Sequence, residues 1–235
     1  MTRRRWIADE FSADRAALIG EHAAHLARTL RARVGQEFEV ACGDQVRRGS
    51  VASVADDRVE FSLGEEITAS TVAPVTLLLA IFKFDRMEWT IEKSTELNVA
   101  TIVPVIARRT EKHLALAAEK RVERWRRIAR EASQQSRRTA PPEIDDPTPF
   151  AEALKVNAGL RIVLAENERG VTLNELLQSR DTDSLALAVG PEGGWTDDEL
   201  RSFASAQWIA ASLGNTILRA ETAAIAAMAI VTAHL

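Results

Sequence analysis

Cysteine is almost missing from this chain of 235 residues: Cys42 stands alone. One cysteine makes no internal disulfide, so a disulfide scaffold is excluded and a reducing cytoplasm is the expected home. Long apolar runs are missing too. No stretch reaches the roughly 18 apolar residues that span a bilayer, and the nearest, 220–235, is Ala-rich and interrupted by Glu221 and His234. The start, Met1 to Trp6, is basic with no apolar stretch behind it, which is not the pattern of a signal peptide. The 11 glycines have no period, which excludes collagen, and no internal repeat or low-complexity segment is visible. What is present is 46% apolar and 27% charged residues, too apolar for a disordered chain and long enough for a sizeable core.

The net charge of −4 is unevenly spread. Between Lys120 and Arg138 eight basic residues face two acidic ones, Glu123 and Glu131. Smaller clusters lie at Arg3–Arg5, at Arg28, Arg31 and Arg33, at Arg47 and Arg48, and at Arg108 and Arg109. Two readings are open: a solvated helix face with Glu123 and Arg127 paired four apart, or a surface that tracks phosphates. Charge alone favours the solvated face.

Two grammars divide the chain. Asp14 to Leu30 reads as a short helix with Leu18, His22, Leu26 and Leu30 on one face. After it, Glu37–Cys42, Gly49–Val54 and Arg58–Leu63 alternate apolar and polar residues between turn signals, as in a small antiparallel barrel or sandwich. From Pro74 onward, continuous apolar runs at 75–82, 101–107, 161–165, 185–189 and 208–213 are separated by helical segments. That pattern predicts a parallel sheet buried on both faces. Met87, Ile91, Ser94 and Leu97 mark one helix face, and Val122, Trp125, Ala129 and Ala132 another. Thr148 before Pro149 reads as a helix cap, and Thr196 to Glu199 as a capping box. The division predicts two domains, 1–72 and 73–235.

Four segments are candidates for chemistry. In the first, the run Leu187–Val189 empties into Gly190-Pro191-Glu192-Gly193-Gly194 ahead of the capped helix. Three glycines in five residues suit a sharp turn or a close approach to a ligand. It is no P-loop, because no Gly-Lys-Ser/Thr follows, and it lacks the dinucleotide spacing. The second is Ser212 to Ala224: an apolar stub, a turn at Gly214, then Arg219 and Glu221 at the start of an Ala-rich helix. Glu221 has a structural explanation in the helix dipole; Arg219 has no comparable one. The third is Arg86 to Leu97 and the fourth Glu131 to Arg138. Cys42, in an alternating strand pattern, reads as a packed thiol. His22 and His25 lack further ligands for a metal, and none is expected.

Together with the segment HLARTLRARVGQ (25–36), these four resemble one family, the 16S ribosomal RNA uracil N3-methyltransferases of the knotted SPOUT class. The likeness runs through MEWTIEKSTELNVATIVPV (87–105), REASQQSRRTAPPEI (130–144), LAVGPEGGWTDDEL (187–200) and SLGNTILRAETAAIAAM (212–228). This sequence departs from the family at Asn98, where glycine is usual, and at Ala220, where threonine is common. Asparagine tolerates a left-handed backbone, so the turn at Asn98 is expected to survive.

The resemblance implies a homodimeric, cytoplasmic enzyme with a PUA-like β-barrel in front of a trefoil-knotted α/β domain. It implies S-adenosylmethionine among three loops, with Leu164, Ala165, Gly190, Pro191, Glu192, Gly193, Gly194, Ser212, Leu213, Gly214, Ile217, Leu218 and Arg219 as its candidate contacts. The substrate it implies is a uridine of 16S ribosomal RNA in the small subunit. Uracil N3 must lose its proton before it attacks, so a cation and a base are needed. Arg219 is the first candidate for the cation, with clamping of a phosphate as its alternative role, and Glu192 or Glu221 is the candidate base. In this context Arg124, Arg127, Arg130, Arg137 and Arg138 become candidate phosphate contacts, with Arg86, Arg3, Arg4, Arg28 and Arg31 beside them. Three alternatives stand: a SPOUT enzyme acting on another rRNA or tRNA nucleotide, an inactive RNA-binding relative, and a nucleotide hydrolase. The last is disfavoured by the absent lysine and metal carboxylates.

Overall fold

Alternation along a single strand shows how the larger part of this protein is layered. In the computed structural model, which describes residues 4–68, 72–180 and 182–235, Leu77 and Leu79 point into one apolar cluster and Leu78 and Ala80 into another. A strand whose two faces are both apolar must lie between two layers.

The chain divides into two compact units, Met1–Thr71 with Arg130–Pro141, and Val72–Ala129 with Pro142–Leu235. The first unit holds β1 (Arg5–Ile7), β2 (Glu10–Phe11), β3 (Arg15–Ile19), α1 (Glu21–Ala24) with a π-helical turn His25–Thr29, β4 (Glu37–Cys42), β5 (Gln45–Val54) and β6 (Arg58–Ile67). Its sheet has the order β1-β4-β5-β6-β3-β2, antiparallel except where β1 lies parallel to β4. Trp6, Leu18, Leu26, Phe38, Val40, Val59 and Phe61 form its core. The helix expected over 14–30 is therefore half right. Ala16, Ala17 and Leu18 are buried in succession as β3, hydrogen-bonded to β6, and helix begins only at Glu21.

The second unit holds β7 (Val75–Ala80), α2 (Phe84–Glu96), β8 (Thr101–Ile106), α3 (Lys112–Ala117), most of α4 (Val122–Gln135), β9 (Glu143–Ile144), β10 (Thr148–Pro149), α5 (Phe150–Ala153), β11 (Leu160–Leu164), α6 (Leu173–Gln178), β12 (Leu185–Val189), α7 (Asp197–Ser205), β13 (Ile209–Ala211) and α8 (Ala220–His234). Its strands are all parallel, in the order β10-β8-β7-β12-β11-β13, with β9 also on β8. One face packs Leu77, Ile102 and Leu187 against Met87, Ile91, Trp125 and Met228; the other packs Val103, Ala186 and Ala188 against Phe203 and Trp208. Each fully buried leucine of this kind contributes about 1.5–3 kcal/mol.

Two helices begin on a side-chain cap, whereas α1, α2, α3, α5 and α8 begin without one. The Thr196 hydroxyl accepts from the Glu199 amide while the Glu199 carboxylate accepts from the Thr196 amide, closing the expected capping box. A second box, Thr172 with Glu175, opens α6. Thr148, however, caps nothing: Thr148–Pro149 pairs as β10 beside β8, and the Thr148 hydroxyl donates to the Asp146 carbonyl. Asn98 does adopt a positive φ of 68°, so the turn after α2 is kept without glycine. Among the described residues no helix is long and apolar enough to cross a membrane.

Candidate active site

Three adjacent strands of the parallel sheet, β12, β11 and β13, end side by side, and their carboxyl-terminal loops enclose a cavity of about 230 Å³. Ligands of open α/β sheets bind at this end, because loops there spread apart while the strands hold their roots rigid. The loop after β11 lines it with Leu164, Ala165, Glu166 and Asn167, and the loop after β12 with Gly190 to Trp195. The loop after β13 lines it with Ser212, Leu213, Gly214, Thr216, Ile217 and Leu218.

Two glycines shape these walls. Gly214 holds φ at +121°, a region that side chains rarely adopt, and no described atom beyond its own chain neighbours lies within 4 Å of where its Cβ would be. Gly190 lies against Trp195, so close that a Cβ would come 3.3 Å from the indole. Trp195 in turn stacks edge-on with Phe203, which fixes the far side of the loop. The capping box roots the segment behind it, and Glu199 also accepts from the Arg108 amide at 2.7 Å.

The cavity is apolar at its sides and charged at its rim. Val189, Ala211, Leu213 and Leu164 offer flat apolar walls, while Glu166, Glu192 and Asp197 supply negative charge and Arg109 and Arg169 positive charge. Arg109 donates to the carbonyls of Gly193 and Trp195 and so braces the glycine loop. Glu192 is held from the other direction by Arg86, whose Nη1 lies 3.2 Å from its Oε1. The same Nη1 lies 3.6 Å from Glu221 Oε1. Glu221 is buried in the first turn of α8, and its Oε2 has no hydrogen-bond partner among the described residues.

The candidate catalytic residues thus separate. Glu192 lines the cavity; Glu221 is buried behind it; Arg219 is exposed at the start of α8, immediately after Leu218, and does not line the cavity. Arg109, Asn167, Arg169, Trp195 and Asp197 line the cavity without having been candidates from sequence. A signal existed for Arg109, which follows β8 at the same end of the sheet.

The candidate RNA residues fare unevenly. In the first unit Arg130 pairs with Asp9 at 2.6 Å and donates to the Ile7 carbonyl. Arg137 pairs with Glu39, which also binds Arg5. Arg138 is buried, donates to the Ala140 carbonyl, and has its pKa pushed down to about 10 by desolvation. Arg4 lies against His25 and over Trp6, and Arg28 pairs with Asp56 on the surface. Arg31 is exposed with a φ of 52°, and Arg3 lies outside the described residues. In the second unit Arg124 pairs with Glu88 at 2.7 Å, whereas Arg127 is exposed and has no ion pair among the described residues. Glu123 pairs with Arg126 rather than with Arg127.

Fold and site together define a class. Residues 69–232 match the RNA methyltransferase domain family. A ribosomal RNA small subunit methyltransferase E from Rickettsia conorii is 32% identical over 217 residues, 90% of this chain and 87% of that protein. Its counterpart from Synechocystis is 32% identical over 90% of this chain and 70% of its own length. The crystal structure of the Neisseria gonorrhoeae enzyme of that name, bound to S-adenosyl methionine, superposes with a TM-score of 0.85 at 30% identity, covering 96% of this chain and 95% of that one. A Legionella pneumophila methyltransferase in complex with the same cofactor gives 0.86 at 28% identity, covering 97% and 96%. The chain belongs to the ribosomal RNA small subunit methyltransferase E family.

Proposed function

We propose that this protein transfers the methyl group of S-adenosylmethionine to N3 of a specific uridine in 16S ribosomal RNA of the small subunit. The observation that carries the reading is the cavity at the ends of β11, β12 and β13, joined to family membership along most of the chain. The residues present fit the cofactor. Apolar walls at Leu164, Val189 and Leu213 suit adenine, the glycine backbones at 190 and 214 bring the main chain close, and the carboxylates of Glu166, Glu192 and Asp197 suit a cationic ligand.

When bound, S-adenosylmethionine supplies an activated methyl group whose leaving group is a neutral thioether. The protein must do the rest. Glu192, at the cavity and partly exposed, is the carboxylate that takes the proton from uracil N3. Arg219, exposed beside Leu218 and in no ion pair among the described residues, stabilises the negative charge that spreads to the uracil oxygens. Glu221 is too deeply buried to meet a base and acts from behind. The target base leaves its stack to reach the cavity.

The second unit we read as the trefoil-knotted SPOUT domain. In support, the chain leaves the sheet edge at β13 and returns to pack α8 against α2, α6 and β12. The strands of the first unit we read as a PUA-like barrel that holds RNA, and a homodimer as the working form. Helix α8 supports the dimer: between Glu221 and His234 it carries no charge, although Thr222, Ala229 and Ala233 are exposed. A ribosomal RNA substrate supports a cytoplasmic location as part of this reading. Nucleoside mass spectrometry of 16S ribosomal RNA from a strain lacking this gene tests the reading. Loss of one 3-methyluridine, restored by the wild-type gene but not by Gly214→Val, is expected; an unchanged nucleoside profile refutes it.

A further inference from the structure

Arg86 has no place in the reading above except as a candidate RNA contact, yet its guanidinium points inward to two carboxylates from distant parts of the chain. It stands in the first turn of α2, Glu192 in the glycine loop after β12, and Glu221 in the first turn of α8. One nitrogen, Nη1, serves both: 3.2 Å to Glu192 and 3.6 Å to Glu221. The three side chains are graded in depth, with Glu221 7% exposed and Arg86 and Glu192 about a third exposed.

We propose that Arg86 is a positioning residue: anchored on buried Glu221, it holds Glu192 and with it the glycine loop in the form that closes the cofactor cavity. This rests on the functional reading above for the identity of the cofactor. Three observations lead to it. The dipole of α8 favours an acid at Glu221 but does not explain why that acid is buried with Oε2 unpartnered among the described residues. Among those residues the cation paired with it is Arg86, so the pair behaves as a fixed post rather than a mobile surface bridge. The loop it reaches is already braced on its other flank, where Arg109 donates to the Gly193 and Trp195 carbonyls. Arg86 completes that brace through Glu192. Without the guanidinium the two carboxylates repel, so its loss drives Glu192 and the loop outward instead of merely removing one bond.

A role in gripping RNA and a role in holding the loop are separated by experiments without RNA. S-adenosylhomocysteine is titrated calorimetrically into the full-length protein as wild type, Arg86→Met, Arg86→Lys and the double variant Arg86→Met/Glu221→Gln. Hydrogen exchange of Gly193 and Gly194 is followed in the ligand-free proteins; the Gly194 amide is bonded to the Pro191 carbonyl at 2.8 Å. Arg86→Met is expected to weaken S-adenosylhomocysteine about tenfold and to speed exchange at both glycines. Arg86→Lys, which keeps the charge, should stay within about threefold of wild type. The double variant removes the buried lone charge and so restores folding if Arg86→Met alone does not fold, but it leaves Glu192 untethered and must still bind weakly. Wild-type affinity and wild-type exchange in Arg86→Met, or in the double variant, overturn the proposal. A wild-type protein that binds no S-adenosylhomocysteine overturns the functional reading instead, and exchange at the two glycines then decides for or against the latch.

Discussion

Replacing Gly214 by alanine tests the cavity at its most constrained point. The substitution introduces no collision, since no described atom beyond the chain neighbours lies within 4 Å of the new methyl group. Its whole cost is conformational: φ of +121° is a region that only glycine occupies comfortably, and holding alanine there costs about 1–3 kcal/mol. That energy has two places to go. If the loop keeps its shape, the native state carries the strain, and the melting temperature falls by about 2–4 °C per kcal/mol for a chain of this size. If the loop relaxes, the strain returns on binding, and affinity for S-adenosylhomocysteine falls by roughly 5- to 150-fold. Differential scanning calorimetry and isothermal titration on the same preparation measure both parts, and their sum should reach at least about 1 kcal/mol. Gly193→Ala is the control. Its φ is not positive, so it carries no backbone strain; its methyl group would meet the Arg109 Cδ at 3.2 Å and Cβ at 3.8 Å, and the arginine that braces the loop must give by a few tenths of an ångström. It should therefore cost clearly less than Gly214→Ala in melting temperature, because no strained φ is imposed. A melting temperature within about 1 °C and an affinity within about twofold of wild type for Gly214→Ala would refute the reasoning. So would equal losses from the two substitutions.

Glu39→Gln in the first unit leaves Arg5, 6% exposed, without its carboxylate, and breaking such a pair costs about 3–5 kcal/mol in urea denaturation; a loss under about 1 kcal/mol would contradict the buried pairing. His22 has its pKa lowered below 6.5, first by burial and then by the charge of Arg130, against the opposing pull of Asp9, Glu131 and Glu21. The unfolded chain therefore takes up a proton that the native state refuses, so stability falls as pH drops through 6.5 toward the native value. His22→Gln should flatten the decline in melting temperature between about pH 7 and 5, and an unchanged slope would dismiss this titration. Arg127→Glu, which breaks no ion pair among the described residues, should weaken RNA binding, lower the salt slope by about one and leave S-adenosylhomocysteine affinity intact. Arg137→Glu should instead lower thermal stability, because it sets a like charge against Glu39. RNA affinity that responds only to Arg137 would reverse this assignment.

Much of the architecture was readable because its signals are local. The alternation in 37–42 marks β4 to the residue, the apolar run 185–189 marks β12, and Thr196 with Glu199 forms the box that their spacing announces. The glycine segments at 190–194 and 212–218 were recognisable as loops, and both line the cavity. The failures share a cause in long-range pairing. Ala16, Ala17 and Leu18 are consistent with a helix until β6 is present to hydrogen-bond them, and Thr148 looks like a cap until β8 claims it as a strand. The arginines show the same limit most clearly. Arg130 meets Asp9 across 121 positions and Arg137 meets Glu39 across 98, so a cluster that reads as free positive charge is largely neutralised within the fold. From sequence Arg86 is a candidate RNA contact at the head of the 86–97 segment, while the partners that define its position lie 106 and more residues away.

A crystal of this protein grown with S-adenosylhomocysteine offers the most direct trial. Density for the ligand is expected between Gly190–Gly194 and Ser212–Leu218, its adenine against Leu213 and its sulfur facing the side where Glu192 stands. Ligand bound elsewhere, with those loops apart and nothing between them, would contradict it.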